Sequence, residues 1–83
     1  MYTTKVLVKF FNEKVRYSEE TQIKIQDLGY LSNIESKEAL AFDYVIKTYV
    51  QNGYVRIPLK KGTFQMVPSQ YVDITVTILE EEK

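Results

Sequence analysis

An α+β domain is predicted for this chain: a small antiparallel sheet of four to five strands with one helix, at about residues 36–51, packed on one face. Three observations predict it. Segments 3–11, 21–26 and 72–78 alternate apolar and polar side chains with the two-residue period of a strand that buries one face. Segment 38–50 instead repeats its apolar residues at three- and four-residue spacing, the period of an amphipathic helix. The chain has 83 residues, 45% of them apolar and 27% charged, so residues 1–83 are read as one globular domain with a single core.

In the first strand, Val6, Val8 and Phe10 face one way and Lys5, Leu7 and Lys9 the other. A turn at Asn12-Glu13 is expected to send the chain back, setting Val15 opposite Phe10 and Tyr17 opposite Val8. Glu19-Glu20 interrupts the pattern, and Thr21–Gln26 resumes it with Ile23 and Ile25 inward, ending near Asp27-Leu28-Gly29. Residues 30–35 form a connector in which Ser32 and Ser36 are candidate N-caps, and Ser32-x-x-Glu35 has capping-box spacing.

The stretch YVQNGYVRIP, residues 49–58, has two readings. In the first it closes a helix whose buried stripe is Phe42, Val45, Ile46, Tyr49 and Val50, with Asp43 and Lys47 paired at i,i+4 and Gly53 as a left-handed cap. In the second, Asn52-Gly53 is a two-residue hairpin loop joining 44–50 to 54–59 in a small all-β barrel, with Val50 against Val55 and Tyr49 beside Arg56. The helix is the primary reading because its pattern extends back through Glu38-Ala39-Leu40-Ala41, longer than a strand of five or six residues.

Beyond Gly53, Tyr54–Leu59 reads as a strand, Lys60–Thr63 as a turn and Phe64–Val67 as the partner strand. Pro58 has no amide donor, so its end of the strand belongs at a sheet edge or a bulge. Val67-Pro68-Ser69-Gln70-Tyr71-Val72 resembles the Pro-Ser-x-Tyr-Val ending of SH3 domains. The chain has no Trp, however, and the distance from Ala39–Tyr44, the piece similar to their opening signature, is too short. The segment is therefore read as a Pro-Ser turn carrying Tyr71 on a short 3₁₀ turn. In the last strand Val72, Ile74, Val76 and Ile78 point inward and Asp73, Thr75 and Thr77 outward.

The residue inventory argues against catalysis. There is no His to serve as the base of a triad and no Cys for a thiolate, a disulfide or a soft-metal site. Three Gly cannot make a phosphate cradle, and Glu19, Glu20, Glu35, Glu38 and Asp43 lack the alternation of a calcium loop. The expectation is a non-enzyme without cofactor or metal. Eleven cations balance eleven anions, which removes any global field toward nucleic acid or a membrane. No leader and no apolar run of about 20 residues is seen, so a cytoplasmic protein is expected.

Seven Tyr are the most distinctive feature, since Tyr suits half-buried positions and interfaces. With the helix on one sheet face, the opposite face is expected to show Lys5, Lys9, Phe11, Lys24, Tyr54 and Arg56, a mixed aromatic and basic surface. Its expected partner is another protein or a second copy of the chain; the alternative is single-stranded nucleic acid stacked on the aromatic rings. A composition free of Cys and rich in Lys, Glu, Ile and Tyr is what an accessory or inhibitor protein of an AT-rich bacterial, phage or mobile-element genome would have.

Overall fold

The computed structural model describes residues 3–26 and 34–82. The elements in these residues are, in order, β1 (Thr3–Asn12), β2 (Tyr17–Gln26), α1 (Ile34–Tyr49), β3 (Val50–Gln51), β4 (Tyr54–Pro58), β5 (Phe64–Pro68) and β6 (Val72–Glu82). Short 3₁₀ turns at Lys60–Gly62 and Ser69–Tyr71 separate the last three strands. The α+β class with a single helix is as expected. The strands divide into two antiparallel sheets of three, β2-β1-β6 (sheet I) and β3-β4-β5 (sheet II), and no barrel closes. The expected Asp27-Leu28-Gly29 ending and the Ser32 cap lie outside the described residues.

Sheet I is built around β1, whose alternating face buries Thr4, Val6, Val8, Phe10 and Asn12. Ile23 and Ile25 from β2 and Val72, Ile74 and Val76 from β6 complete this layer. Val55 and Ile57 of β4, Val67 of β5 and Ala41 and Val45 of α1 close it from the other side. β6 reaches the full length of β1 through a bulge: Lys5 pairs with Glu80 but Val6 with Ile78, leaving Leu79 as the extra residue, exposed.

The β1–β2 turn differs from expectation. The loop is four residues long, so Phe10 faces Glu19, Val8 faces Thr21 and Val6 faces Ile23. Two hydrogen bonds favour the longer loop: Asn12 Oδ1 accepts from the Lys14 amide at 3.0 Å, and the Glu13 amide donates to the Tyr71 carbonyl at 2.8 Å. Arg16 turns the corner in the left-handed region, φ 56°. The shift is an even number of residues, so the inward face of β2 is preserved, but Val15 and Tyr17 leave the core and stand exposed. Glu19-Glu20 does not break the strand, because β2 is continuous from Tyr17.

Thr4 occupies an apolar position of this face. It is fully buried, and its hydroxyl has no hydrogen-bond partner among the described residues. Thr4→Val keeps the shape and removes the desolvated hydroxyl, so it is expected to raise stability by about 1 kcal/mol. A urea midpoint that stays the same or falls would show that the hydroxyl is satisfied in solution.

Helix α1 ends at Tyr49, and the chain then forms a hairpin, so YVQNGYV carries both signals in succession. Val50 pairs with Val55 and Gln51 with Tyr54 across Asn52 (φ 54°) and Gly53 (φ 80°), two left-handed residues that make the primed turn suited to strand twist. Gly53 is therefore a turn residue and not the helix cap. The buried stripe of α1 is Ala41 and Val45 continuing to Tyr49, while Phe42 is exposed with Leu40 and Tyr44 on either side. Ala41 is the small residue that lets the helix approach the strands, which rotates Phe42 outward. The Asp43–Lys47 pair forms at 3.0 Å but is exposed on both sides and adds only a few tenths of a kcal/mol.

Pro58 is the last residue of the central strand of sheet II. The Leu59 amide bonds the Thr63 carbonyl on the β5 side. Because successive amides alternate sides, the Pro58 nitrogen faces the other edge, which the two-residue β3 does not reach. The expectation of an edge at Pro58 is met by the shortness of β3.

Candidate functional site

The six residues expected on one aromatic and basic face are divided between the two sheets. Lys5, Lys9 and Phe11 lie on the outer face of β1, and Lys24 stands opposite Lys5 on β2. They share that face with Glu20, Gln22, Asp73, Thr75 and Thr77, so its charge is mixed. Tyr54 and Arg56 lie on the outer face of sheet II. Sequence reading does not bring the two groups apart, because alternation tells which side of a strand a residue takes but not which sheet the strand joins.

Sheet II supplies partners for Tyr54 and Arg56 that sequence reading missed. Arg56 pairs with Met66, Tyr54 with Pro68 and Pro58 with Phe64, all on the outer face. Tyr54, Phe64 and Met66 are each close to half exposed, at 46%, 47% and 48%, and Leu59 is also exposed. Phe64 and Met66 were legible in principle, since the 60–63 turn between two strands sets their side relative to Arg56.

Carrying the β3–β4 register one residue further places Tyr49 opposite Arg56. Tyr49, Arg56, Pro58, Leu59, Gly62, Thr63 and Phe64 line an open pocket of about 280 Å³. Arg56 holds its guanidinium over the Phe64 ring at 4.0 Å from the centroid, a cation–π contact that restricts the side chain and is worth about 0.5–1 kcal/mol at an exposed position. On the opposite wall, Tyr49 packs edge-on against Phe10 with the ring centroids 5.2 Å apart. One side chain thus joins the core to the pocket. Burial, then the nearby Tyr44, push the Tyr49 phenol above its ordinary value, with Arg56 pulling against them, so the hydroxyl stays protonated at neutral pH.

Outside the pocket, Glu13 of the β1–β2 turn lies beside Asp73 of β6. Glu13 shares a hydrogen bond with Asp73, and that bond and the repulsion between the two raise the Glu13 carboxyl above 4.5. Both groups belong to the β1–β2 turn and the start of β6, at the surface. A raised folded value means that the folded state holds the proton more tightly. The contribution to stability is then present at low pH and is lost as pH rises from about 4.5 through the raised value. Asp73→Asn is expected to return the Glu13 midpoint toward the ordinary range, read by NMR titration of its side-chain carboxyl. An unchanged midpoint would mean that Asp73 is not the cause.

Among the described residues no group of three or more His, Cys, Asp or Glu is placed to hold a metal, and no helix is long and apolar enough to cross a membrane. No family model, curated protein or solved structure matches the chain.

Proposed function

We propose that the protein is a non-catalytic protein-binding module that docks through the outer face of sheet II. The observation that carries this reading is the cluster of Tyr54, Arg56, Leu59, Phe64 and Met66, exposed together on the β4–β5 hairpin beside a pocket that Arg56, Leu59 and Phe64 help to line. Aromatic residues, Met and Arg are the types enriched in the anchoring centres of interfaces, and a stacked Arg has already lost much of its freedom before a partner arrives. The lack of His and Cys in the chain supports a binding role over a catalytic one.

A heterologous partner is favoured over a second copy. Self-pairing of this face would bring together two patches that each carry Arg56, Lys60 and Lys61 and no acid, and like charges across an interface cost affinity. Light scattering after size exclusion is therefore expected to give a monomer. With a partner in hand, Tyr54→Ala combined with Arg56→Ala is expected to weaken binding at least about tenfold while lowering stability by only about 1–2 kcal/mol, because both side chains lie at the surface and lose little more than the Arg56–Phe64 contact and part of the Tyr54 ring. A partner indifferent to both changes would move the interface elsewhere.

A further inference from the structure

Resting on the docking reading above, we infer that the pocket between Tyr49 and Phe64 receives an acidic peptide segment of the partner. One carboxylate sits on the Arg56 guanidinium, a neighbouring apolar side chain fills the pocket, and further acids lie toward Lys60 and Lys61.

Charge is the first reason. From Tyr49 to Val72 the chain carries Arg56, Lys60 and Lys61 and not one Asp or Glu, although the whole protein is neutral. None of the three cations is in an ion pair among the described residues. The outer face of sheet I, by contrast, interleaves its lysines with Glu20 and Asp73.

Geometry is the second. Arg56 Cζ lies 4.0 Å from the Phe64 ring centroid, a contact that positions the guanidinium beside the pocket without taking up its capacity to donate two parallel hydrogen bonds to a carboxylate. Tyr49, Pro58, Leu59 and Phe64 give the pocket apolar walls. Its volume of about 280 Å³ is just below the lower end, about 300 Å³, of small-molecule sites, and suits one anchoring side chain of a longer segment.

Single-stranded nucleic acid fits less well. Backbone binding draws on many phosphate contacts, and here a single cation, Arg56, lines the pocket, with only Lys60 and Lys61 nearby in the chain, on a protein with no net charge to steer a polyanion.

The test is an amide NMR titration of the full chain with four probes: an acetylated Glu-rich octapeptide containing one Phe and one Leu, its Gln and Lys counterparts, and oligothymidylate. The acidic peptide is expected to shift the amides of Tyr49, Arg56, Thr63 and Phe64 and to bind about tenfold tighter than the Gln peptide. Arg56→Gln, which removes an exposed charge and leaves the spectrum dispersed, is expected to abolish that preference. Equal binding of the Gln peptide on the same residues would overturn the acidic partner and leave the docking face standing. Tighter, Arg56-dependent binding of oligothymidylate would replace the peptide with nucleic acid. If no probe moves these residues, both the acidic partner and the docking face fall.

Discussion

Phe10→Ala is expected to lower the free energy of unfolding by about 3–5 kcal/mol. Phe10 is the largest fully buried side chain of the core; it lies on the central strand of sheet I and its ring meets the Tyr49 edge. Truncation removes its buried apolar surface and leaves a void between two layers of backbone that cannot both collapse into it. A chain of this length has about 4–12 kcal/mol of stability in total, so the variant should be mostly unfolded at modest urea concentrations. Phe10→Leu retains much of the volume and is expected to stay folded, which keeps the comparison measurable. An alanine variant with a urea midpoint close to the parent would mean that this face is not the core.

Tyr49→Lys is expected to cost about 2–3 kcal/mol and to remove binding at the pocket in the same substitution. The ring is lost from its contact with Phe10, and a cation is placed across from Arg56. The effect is smaller than for Phe10 because Tyr49 is only half-buried, and a lysine there can lay its stem along the apolar wall with its ammonium in water. Tyr49→Phe separates the two roles: it preserves the ring and hence most of the stability, and changes only the hydroxyl in the pocket. Full stability of the lysine variant would contradict the packing of Tyr49 on Phe10.

Tyr49 also shows how two sequence signals that look exclusive can both hold. The helix period needs residues up to Tyr49, and the Asn52-Gly53 turn needs only one pair of residues on each side, so the chain satisfies both within six residues. The helix stripe was less legible. Phe42 matches the three- and four-residue spacing as well as Ala41 does, and the choice between them depends on which face a small side chain lets approach the strands. The β1–β2 loop was hidden for another reason. One of the bonds that define it ends on Tyr71, which arrives from the far end of the chain.

For the site, Tyr54 and Arg56 were legible because alternation along β4 puts Val55 and Ile57 in the core and these two outside it. Their separation from Lys5, Lys9, Phe11 and Lys24 was not, whereas Phe64 and Met66 could have been found as their neighbours from the short 60–63 turn between the two strands. Local chemistry by itself determined the periods, the inward faces of β1, β4 and β6, the single helix and the primed turn at Asn52-Gly53, since each depends on residues within a few positions of one another. Only the tertiary structure decided which strands share a sheet. β2 and β6 take both sides of β1, and β4 pairs with β5 and the short β3 rather than with the outer edge of β2 or β6, so a second sheet forms and packs on the first across the shared core. That pairing is set by packing between segments as far apart as Thr3 and Glu82, and it decides that the acid-free, aromatic surface around Arg56 stands apart from the lysines of β1.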